Sequence, residues 1–252
     1  MSLRSALRQT FQELVARADL DPVDVAVVDS GVDASHPDLQ SRIVKAFAVE
    51  MKDDEPMLAP RELGDNNDAY GHGTAVSSII SQVARNARIT DVRVLNVGNV
   101  GAGAALVRGF RFAVEERFRV INLSLAATAK FAPQLNELCE LAYRQNQIVV
   151  AARRNMPLVD NGFPAEFSSC ISVDVGNFHS ATQVQFREDH AVEFVGHGED
   201  VKVAASGGGF TTMTGTSFAT PAVSGLCALL VGGNPDLRPF DVKSLLRAFS
   251  GE

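Results

Sequence analysis

The stretch Asp24–Gly31, DVAVVDSG, begins with a short apolar run rich in β-branched residues and ends in turn-forming residues. Apolar runs without alternation are typical of strands buried on both faces, as in a parallel sheet. In an open α/β sheet, active sites form outside the carboxyl ends of such strands. We therefore expect Asp29, at the end of this run, to face a cleft.

Further apolar runs and helical patterns lie along the chain. Strands are predicted at 88–95, 120–123, 148–152 and 170–173, and helices at 72–85, 103–117, 133–146 and 217–232. This alternation predicts an α/β fold with a mostly parallel central sheet. The polar stretch 53–68, which contains Pro56 and Pro60, is predicted to be a loop, and 206–209 a glycine-rich turn.

The first 21 residues differ from the rest of the chain. Apolar residues at helical spacing over 3–18 predict an amphipathic helix. This helix either packs on the body of the fold or serves as a short regulatory arm. No linker or internal repeat interrupts the remaining residues, so we predict an N-terminal arm at 1–21 and one further domain at 22–252.

Composition and charge exclude several classes of protein. The 252 residues are 46% apolar and carry a net charge of −7 from 23 basic and 30 acidic residues. The apolar content excludes a disordered chain, and 20 Gly with 10 Pro exclude a collagen-like one. The acidic balance argues against nucleic acid and anionic membranes as partners. No apolar run reaches the roughly 18 residues expected of a membrane span.

Three cysteines, Cys139, Cys170 and Cys227, are widely separated. Their odd number and the lack of CxxC spacing fit neither a disulfide framework nor a zinc site, so we expect small buried hydrophobes. The N-terminus shows neither the apolar core nor the cleavage site of a signal peptide. These features favour a cytoplasmic location over secretion, and the sequence leaves the oligomeric state open.

Three residues suited to acyl transfer each end a predicted strand or begin a predicted helix. Asp29 ends the first strand, His72 lies in GHGT at a helix start, and Ser217 lies in GTSFATP at the start of an apolar helix. A serine hydroxyl becomes a nucleophile when a base takes its proton, and a carboxylate can orient that base. Helix-start amides can stabilise the negative charge that develops.

Five segments, in order, resemble the motifs of the subtilisin-like serine proteases. They are VAVVDSGV (25–32) with HPDL (36–39), GHGT (71–74), VINLSL (120–125), VVAA (149–152) leading to Asn155, and GTSFATP (215–221). The order Asp, His, Ser separates this family from the chymotrypsin-like and α/β-hydrolase orders. The resemblance covers about residues 22–249 and implies a three-layer αβα fold.

The resemblance also implies roles for these residues. Asp29, His72 and Ser217 would form the catalytic triad, and the Asn155 side chain with the Ser217 backbone N–H would bind the oxyanion. A protein or peptide substrate would bind as an extended strand between two edges. Those edges are Asn99, Val100 and Gly101 on one side and Ser124, Leu125 and Ala126 on the other.

The chain departs from the family around the primary specificity pocket. Arg154 stands where the family has a glycine, and Ala126-Ala127 replace a Gly-Gly pair. The guanidinium could pair with an acidic side chain, fill the pocket or turn to solvent. We therefore expect a restricted specificity, for an acidic or small residue before the cut. A third departure, Ala75 in place of a second histidine, is expected to have modest effects.

No cofactor is predicted. The connection at 81–90 is short and lacks the acidic or amide-rich insertion of the family's tight calcium site, so we expect that site to be absent. The segment Asp65–Asp68, DNND, has the composition of a calcium loop, but it is also typical of a solvated turn, so weak calcium binding elsewhere stays open. The 21 residues before the first strand are too few for the folded prodomain of secreted members.

Two functions remain from this sequence. The first is a serine endopeptidase that acts on extended segments through an acyl-enzyme. The alternative is a catalytically impaired pseudoprotease that binds peptides or scaffolds a partner, with its chemistry disabled around Arg154.

Overall fold

The structure is a computed structural model, and it describes residues 3–17, 19–53, 55–95, 103–156 and 160–250. The helices are α1 (Leu3–Ala16), α2 (His72–Val83), α3 (Gly103–Glu115), α4 (Ala132–Arg144), α5 (Thr216–Gly233) and α6 (Pro239–Phe249). The strands are β1 (Val23–Asp29), β2 (Ile43–Lys52), β3 (Glu55–Arg61), β4 (Ala87–Arg93), β5 (Val120–Leu123), β6 (Ile148–Ala152), β7 (Ile171–Gly176), β8 (Val184–Phe186), β9 (Phe194–His197), β10 (Val201–Ala204) and β11 (Phe210–Met213).

Among the residues that the structure describes, nine strands form one sheet in the order β3-β2-β4-β1-β5-β6-β7-β9-β8. The strands from β2 to β9 in that order are parallel, and β3 and β8 add to the two edges antiparallel. The chain passes from β1 to one side of the sheet and returns to place β5 on the other side. The cleft at this reversal, outside the ends of β1 and β5, is where an α/β sheet binds its ligands.

Helices cover both faces of the sheet, because successive residues of a buried strand point to opposite faces. Val25 and Val27 of β1 pack with α2, α5 and α6, whereas Ala26 and Val28 pack with α3 and α4. The result is a three-layer αβα arrangement with a mostly parallel sheet, as the sequence predicted.

The prediction of a loop over 53–68 was wrong in part, because β3 occupies Glu55–Arg61. This strand pairs with β2 alone and forms an edge of the sheet. Pro56 and Pro60 are loop signals in a sequence, but an edge strand tolerates prolines, which cannot donate a ladder hydrogen bond. The turn at 206–209 is present between β10 and β11.

Helix α5 corrects the expectation that no apolar segment has the length of a membrane span. Its 18 residues, Thr216–Gly233, are long and apolar enough by length and composition, but 89% of them are buried inside the protein. Such burial is typical of the central helix of a folded domain. Helix α5 contacts α2 and several strands of the sheet.

Helix α1 packs against α5 and α6, and Phe11 stacks on Phe249 with ring centroids 4.4 Å apart. This agrees with the interpretation of a helix packed on the body, whereas the division into an arm and a catalytic domain stays a prediction. All three cysteines are buried and free of disulfide bonds, and the Sγ atoms of Cys139 and Cys170 lie 3.3 Å apart. Burial raises the pKa of the Cys139 and Cys227 thiols, as expected for unreactive core residues.

Candidate active site

Asp29 is the last residue of β1, and its carboxyl group is fully buried. Its backbone carbonyl accepts N–H groups from Val94 (2.7 Å) and Leu95 (3.1 Å), which fixes the end of the strand. Its Oδ1 accepts the N–H of Ser30 at 2.8 Å. The carboxylate is therefore held in one orientation by the strand that carries it.

His72 is the first residue of α2, and its side chain is 8% exposed. Its Nδ1 lies 2.7 Å from Asp29 Oδ1, and its ring is tilted against Phe218 with centroids 5.4 Å apart. Burial lowers the pKa of His72, but the charges of Asp29 and Asp68 and the hydrogen bond to Asp29 outweigh burial, so the pKa is raised above 6.5. The imidazole is thereby suited to accept a proton at Nε2.

The segment Asp65–Asp68 is part of the support of α2. Asp68 Oδ1 accepts the hydroxyl of Ser30 (2.7 Å) and the N–H groups of Tyr70 (3.0 Å) and Gly71 (2.7 Å). Its Oδ2 accepts the N–H of Thr74 at 2.9 Å. These hydrogen bonds join Asp68 to Ser30 and to the start of α2, and weak calcium binding by this segment stays a prediction.

Ser217 is the second residue of α5. The helix begins after its N-cap residue Gly215, which has a φ of +152°. The Ser217 hydroxyl donates to the carbonyl oxygen of Ser124 at 2.9 Å. Ser124 comes directly after β5, and Asn122 on that strand accepts the Ser224 hydroxyl of α5 at 2.8 Å. The serine thus lies at the β5 side of the cleft.

Asn155 has a fixed amide orientation. Its Oδ1 accepts the backbone N–H of Thr216 at 3.1 Å, and the Thr216 hydroxyl lies 2.9 Å away. Because a backbone N–H can only donate, the atom that faces it must be the amide oxygen. The NH₂ group of Asn155, an exposed residue, is therefore left to donate elsewhere.

The wall beside this site is formed by the segment after Ser124 and by residues 160–163. Ala127 and Phe163 exchange backbone hydrogen bonds of 2.8 and 3.3 Å. A Cβ atom placed on Gly162 would lie 2.7 Å from Ala126 Cβ and 3.3 Å from Arg154 Cβ. Ala126 and Arg154 therefore lie against Gly162, with no room there for a larger side chain.

The two arginines before Asn155 point to different partners. Arg153 Nη1 lies 2.9 Å from Asp174 Oδ2, and Arg187 also pairs with that carboxylate. Burial raises the pKa of Asp174, but its hydrogen bonds and the arginine charges lower it overall. Arg154 Nη2 lies 3.0 Å from both Asp160 Oδ1 and the carbonyl oxygen of Ala127. Arg154 is thus partly buried and paired within its own chain, and its effect on the specificity pocket stays a prediction.

Several residues named in the sequence analysis take no part in the site as the structure describes it. Asn99, Val100 and Gly101 lie outside the described residues. Ala75 is buried in the core, and His36 Nε2 contacts the carbonyl of Gly209 at 2.8 Å, a structural bond between loops. Among the described residues, no group of three or more His, Cys, Asp or Glu is arranged to hold a metal ion.

Three residues near the site were not singled out from the sequence. Thr216 orients Asn155, Asp160 pairs with Arg154, and Asp174 anchors Arg153. Thr216 lies within a quoted motif, so its position next to Ser217 was an available signal. Asp174 carries no local pattern, because its partner Arg153 lies 21 residues away, whereas Asp160 lies only six residues after Arg154 in a segment without a motif.

Comparisons with known proteins agree with this geometry. The model of the subtilase family matches residues 21–249. The chain is 32% identical over 224 residues to an intracellular serine protease of Paenibacillus polymyxa, covering 82% of this chain and 66% of that protein. It is 29% identical over 225 residues to thermitase of Thermoactinomyces vulgaris (82% and 74%), and 28% identical over 239 residues to subtilisin E of Bacillus subtilis (90% and 60%).

Solved structures show the same fold. A cold-adapted subtilisin-like serine proteinase matches with a TM-score of 0.72 and 26% identity, over 91% of this chain and 82% of that one. Sphericase matches with the same TM-score at 22% identity, over 94% and 87%. The chain spans between about half and three quarters of the length of the first curated relatives it matches. With its motifs in order, its site geometry and a family match over most of its length, the chain belongs to the subtilase family of serine proteases.

Proposed function

We propose that the chain is a serine endopeptidase that hydrolyses peptide bonds in extended segments of proteins or peptides. The observation that carries this proposal is the 2.7 Å contact between His72 Nδ1 and Asp29 Oδ1, at the same edge of the sheet as Ser217. Relatives named as serine proteases support the reaction class. Nothing in the comparisons supports the alternative of a peptide-binding pseudoprotease.

In the first half of the proposed reaction, His72 Nε2 takes the proton of the Ser217 hydroxyl as its oxygen attacks the scissile carbonyl. Asp29 keeps the imidazole in the tautomer that presents a free Nε2, and it stabilises the imidazolium that forms. The carbonyl oxygen becomes an anion, which the Asn155 NH₂ and the Ser217 N–H would bind. His72 then gives its proton to the leaving amine, and an acyl-enzyme remains.

In the second half, water replaces the amine. His72 takes a proton from the water, the resulting hydroxide attacks the acyl carbon, and the Ser217 oxygen leaves with that proton. The same groups act in reverse order, so no further residue is needed. Before the first attack, the Ser217 hydroxyl must rotate from the Ser124 carbonyl to His72.

We further propose that specificity is restricted to a small or an acidic residue before the cut. The side chains of Ala126 and Arg154, which lie close to Gly162 where the family has glycines, support this because they leave less space at that wall. A peptide library profiled for this position tests it. A broad preference for large apolar residues would contradict it.

The family's tight calcium site at 81–90 is proposed to be absent. Helix α2 ends at Val83 and β4 begins at Ala87, so three residues connect them, which supports the proposal. Calorimetric titration with Ca²⁺ tests it. A cytoplasmic location is also proposed, and the relative named an intracellular serine protease supports it.

Labelling by a fluorophosphonate probe tests the central proposal. We expect the folded protein to be labelled at Ser217, and labelling to be lost in Ser217→Ala. Ser224 lies on the same helix but is buried, so the control variant Ser224→Ala should still be labelled. A well-folded protein that the probe does not label would contradict an active protease.

A further inference from the structure

The positive charge of Arg154 is not free to receive a substrate. Its Nη2 lies 3.0 Å from Asp160 Oδ1, and the two side chains are 33% and 22% exposed. The same nitrogen donates to the carbonyl oxygen of Ala127 at 3.0 Å. Nη2 of the guanidinium is thus held by one carboxylate and one carbonyl oxygen.

Asp160 is itself held in place by its own turn. Its Oδ1 accepts the N–H of Gly162 at 2.8 Å, the pattern by which aspartate closes a turn two residues on. Glu166 Oε1 accepts the N–H of Asn161 at 2.6 Å, which fastens the same loop. The carboxylate is therefore in position before any substrate arrives, and one oxygen serves both the turn and Arg154.

This ion pair lies beside the reacting serine. Arg154 precedes Asn155, and Ala127 is three residues after Ser124, whose carbonyl accepts the Ser217 hydroxyl. A side chain entering here meets a neutral pair, and an acidic one meets the carboxylate as well as the guanidinium. Repulsion between the two carboxylates then offsets the attraction to Arg154.

We propose that Asp160 is a specificity-determining residue, which by pairing with Arg154 restricts the position before the cut to small uncharged side chains and withholds the guanidinium from acidic ones. This inference rests on the proposed function and decides between its two open specificities. Acidic selectivity is then latent in the chain, and removal of one negative charge would release it.

The Asp160→Asn variant tests this directly. The amide oxygen of asparagine can still accept the Gly162 N–H, so the turn is retained while the negative charge is lost. Values of kcat/KM would be measured for peptides that differ only in the residue before the cut: Ala, Leu, Gln and Glu. Comparison of Glu with Gln isolates charge, because the two side chains have the same shape.

For the unmodified protein we expect Ala to be the best of the four, with a Glu to Gln ratio of about one or lower. In Asp160→Asn we expect that ratio to rise about tenfold, and to fall again with added salt. The double variant Asp160→Asn/Arg154→Gln should lose the gain. Asp236→Asn, an exposed aspartate in the α5–α6 turn, is the matched control and should keep the original ratio.

The outcomes separate this inference from the proposed function. An unchanged Glu to Gln ratio in an active Asp160→Asn variant would overturn the inference and leave the protease standing. An unmodified protein that prefers Glu to Gln about tenfold or more would also overturn it, even if the variant fails to fold. Folded proteins that neither cleave any of the four peptides nor react with the fluorophosphonate would overturn both.

Discussion

His72 Nδ1 and Asp29 Oδ1 lie 2.7 Å apart, and the two side chains are 8% and 0% exposed. Burial alone would lower the pKa of His72, yet the nearby carboxylates raise it above 6.5. Because the base must be neutral to accept a proton, activity should fall as the pH falls through this raised pKa. The plot of kcat/KM against pH should therefore show an acidic limb whose midpoint lies above 6.5.

The control for this limb is Asp29→Asn. It removes the charge that raises the pKa of His72, and it should shift the limb of the residual activity to lower pH while lowering kcat by about 10⁴. A limb at or below 6.5 in the unmodified protein would contradict the coupling between His72 and Asp29.

Asn155 is predicted to act in the transition state rather than in substrate binding. Its amide oxygen is occupied by Thr216, which leaves the NH₂ group as the donor. Asn155→Ala should lower kcat by about 10²–10³ and change KM little. Steady-state kinetics on one peptide check this, with Asn234→Ala, an exposed asparagine outside the cleft, as the control. A loss confined to KM would assign Asn155 to binding instead.

Gly73 is required by the close approach of two backbones beside His72. A Cβ atom at this position would lie 2.2 Å from the carbonyl oxygen of Gly31 and 3.3 Å from Asp29 Cβ. Gly73→Ala should cost about 1–3 kcal/mol of unfolding free energy and reduce kcat/KM at least tenfold, since it separates His72 from Asp29. At Gly64, no atom of the described residues lies within 4 Å of an added Cβ atom. Gly64→Ala should therefore change neither the unfolding free energy nor kcat/KM by much. Denaturant unfolding and kinetics measure both, and equal effects of the two substitutions would refute the packing argument.

Asp91 on β4 is a buried carboxyl group that the proposed reaction does not use. One oxygen accepts the N–H of Val32 at 3.1 Å, and the other has no partner among the described residues. Burial raises the pKa of Asp91 well above 3.8, and the charges of Asp68 and Asp29 raise it further. The folded protein therefore holds a proton that the unfolded chain has already released above about pH 4.

Because the folded state binds the extra proton, Asp91 makes the protein less stable as the pH rises above 3.8, with a slope of up to about 1.4 kcal/mol per pH unit. Asp91→Asn removes this proton uptake. Its unfolding free energy, measured relative to the unmodified protein by denaturant titration, should increase between pH 4 and pH 7. A difference that does not vary with pH would contradict a protonated Asp91.

The prediction of the fold from sequence succeeded where the pattern was local. Val25–Val28 predicted a buried strand because an uninterrupted apolar run fits a sheet covered on both faces. Strand β3 escaped prediction because none of its residues is fully buried and two of them are prolines. Only its pairing with β2 makes it a strand, and that pairing is a tertiary property.

The sequence by itself determined the family, the order of Asp29, His72 and Ser217, and the substitution of Arg154 for a glycine. These depend on residue types and their order, which need no coordinates. The tertiary structure alone decided which way each group points and what neutralises it. Arg153 meets Asp174 from 21 residues away, and Asn155 meets Thr216 from 61 residues away. Such pairs depend on which loops the sheet brings together, and electrostatic interactions act through space rather than along the chain.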